Sequence, residues 1–229
     1  HNYCRRFMNN EHTLIGNNGL TIEDLASFWQ AIAKEFSTFK NIYGYGLMNE
    51  PHDLAPETKW FDMAQASINA IREVDTNTLI MVGGNDWSSA ERWIEQSDTL
   101  KFLKDPANNL AFEAHVYFDK DASGTYKYSY EEEECYPEKG IDRVKPFVEW
   151  IKQNKFHGFI GEYGIPDNDP RWNETLDLFL GYLQENGING TYWAAGPWWD
   201  TYFMAITPKD GKDRPQMPII EKYTSTLKK

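Results

Sequence analysis

Residues 44–54 read GYGLMNEPHDL. Small and apolar residues run up to Asn49 and Glu50, and Pro51, which has no N–H to give to a ladder, follows at once. The stretch therefore reads as a buried strand, set at 42–50, whose last two residues are an amide and a carboxylate. A core gains nothing from an unpaired carboxylate. In a parallel βα protein, however, the C-terminal ends of the strands are where catalytic groups sit, so the other strand ends decide the fold.

Four more apolar runs of strand length follow, at 78–85 (TLIMVGGN), 110–118 (LAFEAHVYF), 158–165 (GFIGEYGI) and 189–194 (NGTYWA). Each is read as buried on both faces. Their ends carry Asn85 and Asp86, His115 and Tyr117, Glu162, and Trp193, every one polar or aromatic. Between them lie segments of helical period. Thr21 opens TIEDLASFWQAIAKEF as a cap, KWFDMAQASINAIREV places Phe61, Ala64, Ile68 and Ile71 on one face, and residues 140–154 and 171–186 repeat the pattern, the last ending at Asn186-Gly187. No linker interrupts the series, so residues 1–229 read as a single catalytic domain. Neither GxGxxG nor GxxxxGK[ST] occurs, which argues against a nucleotide-binding open sheet and for a barrel.

Composition narrows the partners. The 229 residues are 41% hydrophobic and 15% aromatic, and 23 basic against 35 acidic residues leave a net charge of −12. That charge repels nucleic acid and anionic membrane surfaces. No apolar run nears the ~20 residues of a membrane span, and no signal peptide opens the chain. Nine tryptophans and thirteen tyrosines suit stacking on sugar rings as well as ordinary core packing. Cys4 and Cys135 form one disulfide or none. The run Glu131–Glu134 reads as a solvated loop face, and His12, His52 and His157 as surface or loop histidines without a role.

Taken in order, these ends resemble glycoside hydrolase family 5, the cellulases and endo-β-glucanases. His1-Asn2 is similar to the HN that ends that family's third strand, Asn49-Glu50-Pro51 to the NEP ending the fourth, and His115 with Tyr117 to the HxY pair of the sixth. Gly161-Glu162-Tyr163-Gly164 is similar to the GE(F/Y)G of the seventh, and Trp193 to the tryptophan of the eighth. The resemblance implies a (β/α)8 TIM barrel of which this chain holds strands 4–8. With strand starts about 37 residues apart, the first three βα units would need roughly 110 more residues. The family's arginine near the second strand has no counterpart, so the chain reads as a C-terminal fragment that requires a complementing N-terminal barrel segment.

The resemblance also implies the chemistry. It makes Glu50 the acid/base and Glu162 the nucleophile of a retaining, endo-acting hydrolase of β-1,4-glucan or mixed-linkage β-glucan, with the carboxyl groups ~5 to 5.5 Å apart. Tyr117 becomes a donor to Glu162, Asn49 a partner of the sugar 2-OH, and His115 a polar neighbour of Glu50. Trp193 is the sugar platform, Trp198 lines a neighbouring subsite, and His1 borders the site. No metal and no cofactor are implied, and the family is extracellular. Three alternatives stay open. A copper oxygenase with an N-terminal histidine ligand sits poorly with βα repetition. A non-catalytic carbohydrate-binding fragment and a relative acting on mannan or xyloglucan need an assay to separate.

Overall fold

The computed structural model describes residues 1–8 and 10–224. An antiparallel hairpin, β1 (Arg5–Met8) and β2 (Glu11–Leu14), opens the chain. Then follow α1 (Ile22–Phe36), β3 (Gly44–Gly46), α2 (Trp60–Arg72), β4 (Leu79–Gly83), α3 (Trp93–Ser97), β5 (Leu110–Tyr117), α4 (Lys139–Asn154), β6 (His157–Gly164), α5 (Arg171–Glu185), β7 (Asn189–Tyr192) and α6 (Met217–Tyr223). The sheet order is β3-β4-β5-β6-β7. Strand order thus follows chain order, with β3–β4 and β4–β5 parallel, as successive helical crossovers require.

The chain divides into two compact units, one of His1–Ala114 with Trp150–Phe159, the other of His115–Glu149 with the chain from Ile160 onward. In the first, Thr21 and Asp24 form a reciprocal capping box at the start of α1, which packs on α2. The buried stripe of α2 is Trp60, Met63, Ala64, Ser67, Ile68 and Ile71, with Phe61 only at its edge. The Trp60 indole donates to Gly83 O (2.7 Å), so the polar tip of a buried ring is satisfied at the end of β4. In the second unit, Phe118, Phe147, Trp172, Leu176 and Phe179 make the core. Asn186 caps α5 and Gly187 follows at φ +66°, the left-handed stop that the Asn-Gly pair predicts.

Three expectations need correction. The strand set at 42–50 is regular only over Gly44–Gly46; one more bond, Leu47 N–H to Met81 O (3.0 Å), follows, and by Glu50 the backbone has left extended geometry at φ +44°. Burial on both faces fails for β7, exposed from Asn189 to Thr191, and in part for β3; both are outer strands of the sheet order. Glu133 is 3% exposed rather than solvated. Its carboxylate accepts from the N–H groups of Lys120 and Tyr128, both at 2.8 Å, and so closes the loop after β5, while Glu131, Glu132 and Glu134 do face solvent. Cys4 and Cys135 are free thiols, and burial pushes the Cys4 thiol up to about 12.

Candidate active site

In the second unit the chemistry gathers on β5 and β6. His115 and Tyr117 are two residues apart on β5 and so share a face. Glu162, on β6, is 8% exposed. The Tyr117 hydroxyl donates to its Oε2 at 2.7 Å, and His115 Nδ1 lies 3.6 Å from the same oxygen. A carboxylate with a phenol donor and an imidazole against it is held in one orientation and supported in its charged form. Arg143, on α4, fixes Tyr117 in turn by donating from Nη1 to its carbonyl (2.5 Å), and from Nη2 to Lys120 O (3.0 Å).

Trp193 follows β7, its N–H donating to Tyr163 O (2.8 Å) and its peptide to Ala194 cis. The ring is half-buried and meets Trp199 edge to face at 4.9 Å, and Trp199 meets Tyr202 at 5.0 Å. Burial, with the charge of Glu162 adding to it, raises the Tyr202 phenol above its ordinary range. Trp198 lies apart from this packing, 90% exposed.

In the first unit, Asn49, Glu50 and Pro51 follow β3. The Asn49 amide Nδ2 is buried and has no hydrogen-bond partner among the described residues. Left-handed backbone at a glutamate is uncommon and concentrates at functional positions. His52, expected at the surface, is 8% exposed; its Nδ1 lies 2.8 Å from Glu50 O, so that nitrogen carries the proton. Its ring stacks on Trp87 at 3.6 Å and 12°. Tyr3 packs on both, and His1 packs on Tyr3 at 5.9 Å.

Trp87 and His52 are the residues the spacing of motifs missed. Asp86, Trp87 and Ser88 all have positive φ, and this turn, braced by Asp86 N–H on Pro51 O (2.9 Å), leaves the Trp87 ring 51% exposed. The Gly-Gly-Asn-Asp run before Trp87 is the available signal, since Gly, Asn and Asp tolerate such backbone.

Parallel strands joined by helices, with carboxylates, amides and aromatic rings at their C-terminal ends, define a member of the TIM-barrel class of enzymes. The family model for cellulase (glycosyl hydrolase family 5) matches residues 1–198. The chain belongs to that family and carries part of its barrel. It is 36% identical over 193 residues to endo-beta-1,4-glucanase B of Emericella nidulans, covering 82% of this chain and 56% of that protein. It is 34% identical over 206 residues to a probable endo-beta-1,4-glucanase B of Aspergillus kawachii, covering 87% and 59%. Among solved structures, Pseudomonas stutzeri endoglucanase Cel5A in complex with cellobiose matches with a TM-score of 0.89 at 42% identity, over 98% of this chain and 66% of that one. The chain thus spans somewhat under three fifths of these two curated relatives.

Proposed function

We propose that this chain supplies the catalytic glutamates of a retaining, endo-acting hydrolase of β-1,4-glucan. The observation that carries the reading is Glu162, a nearly buried carboxylate at a strand end whose Oε2 accepts from Tyr117 at 2.7 Å. Burial of a carboxylate is costly unless hydrogen bonds hold its charge, and a carboxylate so held is ready to attack an anomeric carbon. Glu162 forms the glycosyl-enzyme, and Glu50 first protonates the leaving oxygen and then draws a proton from the water that hydrolyses the intermediate. Retention requires ~5 to 5.5 Å between the two carboxyl groups, and that separation is expected here.

The supporting groups follow from their chemistry. Asn49 Nδ2, buried and without an acceptor among the described residues, is a donor suited to the sugar 2-OH. Trp193 offers a ring beneath the reacting sugar, Trp87 backed by His52 offers a second flat ring, Trp198 serves a more distant subsite, and His1 borders the site through Tyr3. His115 orients Glu162. Fungal relatives named endo-beta-1,4-glucanase and a neighbour solved with cellobiose favour glucan over mannan. The polymer cannot enter a cell, so the enzyme works outside it. Since β3 and β7 are the outer strands of the sheet order, their outward N–H and C=O groups suit the remaining barrel strands, the complementing N-terminal segment we propose as partner.

Reducing-sugar release from carboxymethylcellulose, lichenan and mannan tests this, with the chain alone and with that segment. Hydrolysis of the first two by the assembled barrel is expected. Activity on mannan only would move the substrate, and an assembled barrel that binds cello-oligosaccharides without cleaving them would leave a binding protein.

A further inference from the structure

The loop after β5, residues 119–126 (DKDASGTY), is built around one buried carboxylate. Asp119, 1% exposed, accepts on Oδ1 from the Gly124 N–H (3.1 Å) and on Oδ2 from the Thr125 N–H (3.0 Å), the Tyr126 N–H (3.3 Å) and the Ser123 hydroxyl (3.0 Å). Four donors from the loop itself occupy an acceptor-only group, so the loop has one shape. That shape delivers Tyr126, 8% exposed, to the ends of two strands. The Tyr126 hydroxyl accepts from the Phe118 N–H (2.9 Å) and donates to Gly164 O (2.6 Å). Phe118 adjoins Tyr117, and Gly164 lies two residues beyond Glu162. The Tyr126 ring is held edge-on by Trp172 at 4.9 Å, and Gly124, at φ +71°, passes so close that a Cβ there would stand 2.9 Å from the Tyr117 ring.

We infer that Tyr126 is a positioning residue for the nucleophile: its hydroxyl ties the end of β5 to the end of β6 beside the Tyr117–Glu162 hydrogen bond, and Asp119 sets the loop that carries it. The inference rests on Glu162 being the nucleophile. β5 ends at Tyr117 and β6 at Gly164, where strand ends fray unless something closes them. Tyr126 bridges one backbone donor and one backbone acceptor at that spot. With both sides of its hydroxyl engaged by backbone, it acts through Tyr117 and Glu162. Freed strand ends would let the phenol drift from Oε2, and displacements near 1 Å cost up to ~100-fold in rate.

The test uses the full-length protein and 2,4-dinitrophenyl 2-deoxy-2-fluoro-β-cellobioside. Attack forms the C1–O bond to the nucleophile as dinitrophenolate leaves with its electron pair, and the fluorine slows hydrolysis so that the adduct can be mapped by mass spectrometry. Labelling of wild type on a residue other than Glu162 removes the nucleophile assignment and the inference with it. With Glu162 labelled, Tyr126→Phe should slow labelling roughly ten- to a hundred-fold without weakening binding. The acid limb of its pH profile should also move to higher pH, as in Tyr117→Phe. A Tyr126→Phe variant that labels at the wild-type rate with the wild-type profile, or that only loses thermal stability, overturns the inference. Gly124→Ala presses on Tyr117 from the loop and should move the limb the same way. If Tyr126→Phe does not fold, Asp119→Asn, which loosens the loop that carries Tyr126, takes its place, and a wild-type labelling rate and profile in that variant overturn the inference equally.

Discussion

Asp105→Asn tests how the molecule separates the part that holds it together from the part that reacts. Asp105 and Arg72 form a bidentate pair, Nε to Oδ1 at 2.7 Å and Nη2 to Oδ2 at 3.0 Å, with side chains 1% and 3% exposed. Arg72 Nη1 also donates to Asp75 O (3.0 Å) and Thr78 O (2.8 Å), and Asp105 accepts from the Ala107 and Asn109 N–H groups. An asparagine keeps the shape but removes the charge and turns two donors toward donors. Breaking a buried pair by removing one partner costs about 3–5 kcal/mol, because the other charge stays buried. The lower end, about 3 kcal/mol, applies since three carbonyls, those of Asp75, Thr78 and Asn109, still hold the guanidinium. Thr78 and Asn109 precede β4 and β5, whereas Glu50 follows β3, so the pair sits at the N-terminal strand ends, where stability and not catalysis is invested. Urea unfolding followed by tryptophan fluorescence should show a lower midpoint at unchanged slope. Turnover per folded molecule should stay at the wild-type value, and Arg72→Met with Asp105→Leu should recover most of the stability. A loss under about 1 kcal/mol, or a tenfold fall in turnover of the folded variant, would refute the reasoning.

Other outcomes follow from the same geometry. Trp87→Ala removes a ring worth about 1–1.5 kcal/mol of stacking and should raise KM for cello-oligosaccharides roughly tenfold with little change in kcat; an unchanged KM would take Trp87 out of the site. Burial raises the Asp75 carboxyl, but the Thr78 hydroxyl, the Thr78 and Asn77 N–H groups and the Tyr45 hydroxyl outweigh it and bring it down to about 2. Its contribution, about 1–2 kcal/mol after solvent screening, is present above the unfolded value of 3.8 and lost as pH falls through about 2. Asp75→Asn should therefore be less stable at neutral pH and show a flatter decline in that window, measured by urea midpoint against pH. The proposed two-carboxylate mechanism makes turnover indifferent to EDTA, and strong inhibition by the chelator would count against it.

Much of this was legible because chemistry and period coincide in the sequence. The apolar runs before Asn49, His115, Glu162 and Trp193 are strand-like whatever lies around them, and the two-residue spacing of His115 and Tyr117 alone puts both on one face. The four helices read in the sequence fall within two residues of α1, α2, α4 and α5, Thr21 and Asn186-Gly187 marking ends by local bonding, whereas the short α3 and α6 and the opening hairpin went unread. What could not be read depends on backbone conformation or distant packing. The left-handed backbone of Glu50 beyond a three-residue β3 leaves no mark in the residue types, and neither does the stack of His52 on Trp87 beside three left-handed residues in succession. Glu133 looks like its charged neighbours until the two loop N–H groups that it accepts from are known. Tyr126 is one aromatic among many, and only the positions of Phe118 N and Gly164 O give its hydroxyl a meaning.

The central claim is the division of labour between Glu50 and Glu162, and the stereochemistry of azide rescue reads it directly. Each residue is replaced by Ala in the active full-length protein, an activated β-cellobioside and sodium azide are supplied, and the anomeric configuration of the glycosyl azide is read by proton NMR. Without the nucleophile, azide attacks the substrate itself once, and Glu162→Ala should give the inverted α-azide. Without the acid/base, azide attacks the glycosyl-enzyme, and Glu50→Ala should give the retained β-azide. The opposite pair of products would exchange the two roles, and an absence of rescue in both variants, each folded as wild type, would contradict double displacement on these glutamates.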